Sequence, residues 1–144
     1  VVYIACRNGA LPIGLTSRIG MRLPVSCTAT GKALISTLGD QEVKRLFRGK
    51  PLPHLTANSC ANVGALLKQL DEVRAQGFAM DDEETREGMF CVGVPIHDPD
   101  GGPVLAAVAV SMIKGLNSKQ KQEQTVETLK QLAQMLQNPL KMLR

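Results

Sequence analysis

Residues 81–112 read DDEETREGMFCVGVPIHDPDGGPVLAAVAVSM, and the fold follows from how this stretch divides. Two apolar runs, 89–96 and 104–112, flank the polar segment His97-Asp98-Pro99-Asp100-Gly101-Gly102. Proline presets φ and glycine admits positive φ, the two needs of a chain reversal. The pattern predicts an antiparallel β-hairpin with a longer loop. Alternation along a strand sorts each run into two faces. Val92, Val94 and Ile96 share one face of the first run, and Cys91, Gly93 and Pro95 the other. In the second run Val104, Ala106, Val108 and Val110 oppose Leu105, Ala107, Ala109 and Ser111. Pairing the two small sets on one side is the natural register, because a one-residue slip mixes the faces.

A sheet face of Cys, Gly, Ala and Ser leaves volume. Either a helix packs close against it, the ordinary outcome for a filled interior, or a small ligand sits there. The acidic run Asp81-Asp82-Glu83-Glu84 leading into the hairpin reads as a solvated loop.

The remaining composition narrows the function classes. A length of 144 residues suits one domain with its own core. The chain opens on Val and is strand-like from the start, so a fragment with something upstream removed is expected. No apolar stretch is long enough to span a membrane, and no signal segment opens the chain. The four cysteines, Cys6, Cys27, Cys60 and Cys91, lack C-x-x-C spacing and lie among apolar or small residues, which suits reduced thiols in the cytoplasm. With two histidines, His54 and His97, no metal site is expected, and no cofactor either. A net charge of +4 with dispersed basic residues, one Tyr and no Trp argue against nucleic-acid binding by this chain alone.

In chain order, 1–7 reads as a strand, Asn8-Gly9 as a turn and 11–18 as a second strand. A helix follows, capped by Ser26 or Thr28 and running to about Leu38, with Gly39 ending it. The free amides at such a helix start, flanked by Ala29, Thr30 and Gly31, suit a carboxylate or phosphate. Asp40 would cap a second short helix, and Thr56 or Ser59 stand as possible caps in the loop 48–61. Val63, Leu66, Leu67, Leu70 and Val73 hold helical spacing up to Gly77. After the hairpin, Ser118 caps a long last helix with Val126, Leu129, Leu132, Ala133 and Leu136 on its buried stripe; Asn138-Pro139 should end or kink it. Hairpins with helices gathered around them imply an α+β domain.

Several motifs then fall into one order: Leu23-Pro24; Thr28-Ala29-x-Gly31-Lys32-Ala33-Leu34; Val73-Arg74-x-x-Gly77-Phe78-Ala79-x-Asp81-x-Glu83-Glu84; Gly88-x-x-Cys91-Val92; Pro95-Ile96-x-Asp98. Together they resemble the C-terminal effector domain of the IclR family of bacterial transcription regulators, over nearly the whole chain. The resemblance implies a GAF-like fold, a curved antiparallel sheet flanked by helices, filling 1–144 as a single effector-binding domain. It also implies a winged helix-turn-helix DNA-binding domain upstream, a small-molecule effector, commonly a carboxylic acid, and assembly into homodimers or homotetramers. DNA would be bound only through that upstream domain.

Carried over by position, the family's pocket falls on Ala29 and Thr30 for the effector carboxylate, with Asp81, Cys91, Ala109, Ser111 and the covering Leu15. The family often has Ser at both strand positions and Gly-Pro after the second; here one is Ala109, and Met112-Ile113 follows Ser111. One donor is therefore missing, which points away from the usual small keto acids toward a larger or less polar acid. Two other readings stand beside the sensor. A Cys91 nucleophile would need a base or positive field, and His97 lies at the far end of its strand. A GAF-like module that only dimerises would have the small face filled by side chains.

Overall fold

The computed structural model describes residues 1–9 and 18–142, with side chains as far as residue 137. Its elements are α1 (Ala29–Ile35), α2 (Asp40–Leu46), α3 (Val63–Gln76), β1 (Ala79–Asp82), β2 (Met89–His97), β3 (Val104–Ile113), a 3-10 turn (Lys114–Leu116) and α4 (Lys119–Met142). The three strands form one antiparallel sheet in the order β1-β2-β3. This is the α+β arrangement expected.

The hairpin takes the anticipated register. Cys91 pairs with Ser111, Gly93 with Ala109 and Pro95 with Ala107, so the small sets share a face. The register shifts between Ile96 and His97: Ile96 pairs with Ala106, but His97 pairs with Val104. Leu105 is the extra residue of this bulge and is largely exposed. The turn is held by Asp98, whose amide donates to Pro103 and whose side chain accepts from the Asp100 amide, with Gly101 at φ 83.

The two faces are covered differently. On the bulky face, Phe90, Val92, Val94, Ile96 and Met112 pack against Val126, Leu129 and Ala133 of α4. On the small face lies α1, where Ala33 joins Val73, Ala79 and Ala107. Outside α1, Ile35, Val43, Cys60, Leu66 and Leu70 join α1, α2 and α3 into a further cluster. The domain is thus layered α4, sheet, α1, then α2 and α3.

Several local expectations need correction. α1 stops at Ile35, three residues short of Leu38. The Ser36 hydroxyl donates back to the Ala33 carbonyl, and Arg74 donates to the Ser36 and Leu38 carbonyls, so side chains satisfy the helix end. Gly39 begins α2 rather than ending α1: its amide donates to the Glu42 carboxylate, and Asp40 is the first helical residue. Asn62, not Thr56 or Ser59, caps α3, accepting from the Ala65 amide. Gly77 ends that helix in the left-handed region, as anticipated. Ser118 accepts from the Lys121 amide at the start of α4, but α4 continues through Pro139. A proline so near a helix end removes one backbone bond while its fixed φ remains helical.

At the N-terminus, residues 1–3 pair with 21–23 through Tyr3 N to Met21 O at 3.0 Å and Leu23 N to Val1 O at 3.1 Å. A turn at 18–21, with Gly20 at φ 84, returns the chain. Most of the predicted strand 11–18, including Leu15, lies outside the described residues.

Candidate functional site

The acidic run is not a solvated loop. Asp81 and Glu84 are both buried. Asp81 accepts from the Glu84 and Thr85 amides at 2.8 and 3.1 Å through Oδ1. The Thr85 hydroxyl lies 2.6 Å from Asp81 Oδ2 and 2.9 Å from the Cys27 carbonyl, which ties this loop to the entry of α1. Ser59 and Thr56, no longer needed as caps, donate to the Glu84 and Glu83 carbonyls at 2.7 and 2.6 Å. A buried carboxylate must be paired or bonded, and Asp81 accepts from two backbone amides and shares the Thr85 hydroxyl with the Cys27 carbonyl.

Two cross-strand rows define the small face. The first is Ala79-Gly93-Ala109 and the second Asp81-Cys91-Ser111. The start of α1 rests on the first row. A Cβ on Gly93 would lie 2.7 Å from the Ala29 carbonyl carbon and 3.0 Å from the Thr30 amide nitrogen, so only glycine permits this approach. Gly31 is as constrained, since a Cβ there would lie 2.2 Å from the Val25 carbonyl oxygen. Thr28 caps α1: its hydroxyl oxygen accepts from the Gly31 amide and its proton goes to the Pro24 carbonyl, both at 3.0 Å. No described residue accepts from the amides of Ala29 or Thr30.

In the second row Cys91 Sγ lies 3.2 Å from Ser111 Oγ. Burial pushes the Cys91 thiol up to about 12, with the nearby Asp81 carboxylate acting in the same direction against the Ser111 hydrogen bond. The group is a neutral thiol and weak donor at physiological pH, the opposite of an activated nucleophile. Ser111 is exposed, Cys91 partly so, and Ala29, Thr30 and Asp81 are buried.

Six anticipated positions, Ala29, Thr30, Asp81, Cys91, Ala109 and Ser111, therefore meet on one face; Leu15 lies outside the described residues. Two features of this region escaped sequence reasoning. Tyr3 meets the start of α1, with its hydroxyl 3.4 Å from Thr30 Oγ1. Lys32 is buried in α1, paired with Glu84 and donating to Gln69 at 2.8 Å. Burial raises the Glu84 carboxyl above its ordinary range, against the Lys32 ammonium, while Asp81 adds to the rise. The available signal was Lys32 itself, the only charge in the otherwise uncharged α1, because a lone charge in a buried helix requires a partner.

An open depression of ≈ 380 Å³ between Lys50, Leu52, His54 and Val63 shares no residue with this face. No cluster of three metal-ligating side chains occurs among the described residues, and none of the described helices is long and apolar enough to cross a membrane.

Fold and site define an α+β domain whose candidate nucleophile is held as a thiol. Residues 1–138 match the family described as bacterial transcriptional regulator IclR C-terminal, and the chain belongs to that family. It is 40% identical over 112 residues to the HTH-type transcriptional regulator XynR of Escherichia coli K12, covering 78% of this chain and 44% of that protein. It aligns with the Agobacterium tumefaciens repressor BlcR at a TM-score of 0.85 and 42% identity, over 96% of this chain and 54% of that one. It also aligns, at a TM-score of 0.78 and 26% identity, with a double mutant of the Acinetobacter PobR inducer binding domain in complex with 3-hydroxybenzoic acid, over 91% of this chain and 74% of that one. The chain spans about half the length of XynR and BlcR. These relatives are transcriptional regulators, not enzymes, and the Cys91-nucleophile reading is set aside on that ground and on the thiol's chemistry.

Proposed function

We propose that this chain is the ligand-sensing domain of a DNA-binding transcription regulator, and that it takes a small organic acid on the small face of the sheet. The observation that carries the reading is that the start of α1, where no described residue accepts from the Ala29 and Thr30 amides, rests on Gly93, which shares its face of β2 with Cys91, itself 3.2 Å from Ser111. Amides at a helix start favour a carboxylate. The Ser111 hydroxyl and Cys91 thiol would address the rest of the ligand, while Ala109 leaves room. Asp81 accepts from the Glu84 and Thr85 amides through Oδ1, which holds the loop, while Oδ2, beside the Thr85 hydroxyl, keeps a lone pair with which to accept a ligand hydroxyl. The PobR complex with 3-hydroxybenzoic acid supports an acid as the ligand class. A winged helix-turn-helix domain upstream would carry DNA binding in the cytoplasm. Effector and operator would then be coupled through the arrangement of a dimer or tetramer, by a population shift.

A ligand-free dimerisation module is the second reading, favoured by the close seat of α1 on Gly93. A thermal-shift screen against carboxylic acids separates the two, since a ligand well above its dissociation constant raises the midpoint. The sensor reading expects a hit that is lost on Ser111→Leu. A broad panel with no shift would favour the dimerisation module.

A further inference from the structure

Tyr3 is the one aromatic side chain that the structure brings to the start of α1, and nothing above gives it a role. Its backbone is fixed on both sides: the amide donates to the Met21 carbonyl at 3.0 Å, and its carbonyl accepts from the Gly20 amide at 2.7 Å. The side chain is thereby delivered to Thr30, one of the two α1 residues whose amides have no described acceptor. The hydroxyl–hydroxyl separation of 3.4 Å is longer than a well-made O–H···O bond. Thr30 directly follows Ala29, whose backbone seats α1 on Gly93. Burial raises the phenol above its ordinary value, so it is a proton donor throughout the physiological range.

We propose that Tyr3 is a specificity-determining residue of this site, its hydroxyl donating to an oxygen, hydroxyl or oxo, that the organic acid carries besides its carboxylate. The proposal rests on the ligand-sensing reading above and deepens it. Ala109 offers no hydroxyl from the sheet; Tyr3 offers one from the N-terminal segment instead. A phenol whose one described side-chain contact is long gains by donating to a ligand oxygen at normal distance. An acid lacking that oxygen leaves the donor in its poor contact and gains nothing from it.

The chain contains one Tyr and no Trp, so its tyrosine emission reports on Tyr3 alone. The test uses matched acids: 3-hydroxybutyrate with butyrate, lactate with propionate, and 3-hydroxybenzoate with benzoate. Each is titrated into the wild-type chain and into Tyr3→Phe, with binding read by thermal shift and wild-type binding also by tyrosine emission. The expected result is that at least one hydroxy acid binds up to roughly tenfold tighter than its partner and changes the emission, as one net hydrogen bond allows. Tyr3→Phe should keep the affinity for the deoxy acid and lose the preference. A preference that survives Tyr3→Phe, or binding without any change in emission, overturns the role of Tyr3 and leaves the sensor reading intact. If none of these acids binds the wild type, the role of Tyr3 is overturned, and the sensor reading is decided by the broad panel. Equal loss for both members of a pair makes Tyr3 structural and also overturns the proposal.

Discussion

The two faces of one sheet are built to opposite rules. The α4 face closes with bulky side chains, Phe90, Val92, Val94 and Ile96 against Val126 and Leu129. The α1 face closes by removing side chains, so that backbone meets backbone at Gly93 and Ala29. The first arrangement gains stability from apolar area alone and tolerates volume-conserving exchange. The second brings amides, hydroxyls and a thiol near one another but buries polar groups that then need partners. The Lys32–Glu84 pair and the Asp81 clamp meet that need. The difference teaches that the stable face and the chemically capable face need not compete, because a strand alternates between them residue by residue.

The largest way to break the comparison is at the buried pair. Lys32→Met should cost about 3–5 kcal/mol by stranding Glu84, read as a fall in the denaturation midpoint. The double change Lys32→Met with Glu84→Leu should recover most of that loss. A single change as mild as a surface substitution would show that the pair is hydrated and that the α1 face is not closed.

A smaller effect is expected at the seat of α1. Gly93→Ala should cost about 1–3 kcal/mol through overpacking against Ala29, with loss of any acid binding, whereas Val94→Ala on the α4 face should lower stability and leave binding affinity unchanged. Equal effects on binding would erase the functional distinction between the faces.

The smallest effect concerns titration. The Cys91 thiol is raised in the fold from 9.0 to about 12. A group whose folded value is raised contributes stability that is fully present below the unfolded value and is lost as pH rises through the folded one. Stability should therefore decline between about pH 9 and 12 in the wild type, and less so in Cys91→Ser. At pH 8 a thiol reagent should modify exposed Cys6 and spare Cys91. Rapid labelling of Cys91 would place a thiolate on the α1 face and reopen its chemistry.

How much of this was legible beforehand differs by element. The hairpin, its register and the sorting of its faces were readable, because a period of two leaves little freedom once β-branched and small residues alternate. Val63–Gln76 and the start of α4 were readable from spacing and caps. The acidic run was misread as solvated, since local composition does not reveal that Lys32, 52 residues earlier, lies under Glu84. Gly39 was read as a stop and is a start, because a glycine between two helices serves either end and only the Glu42 contact decides.

By itself, the order of residues determined an α+β chain with a two-faced hairpin, a helix start suited to an anion and a thiol and hydroxyl on the small face. Those are properties of local period and local chemistry, carried by each segment wherever it lies. Only the tertiary structure decided that α1 sits on Gly93, that Asp81 clamps the loop through the Glu84 and Thr85 amides, and that Tyr3 arrives beside Thr30. Each of those depends on the distance between residues far apart in the chain, which close packing sets and sequence spacing does not encode.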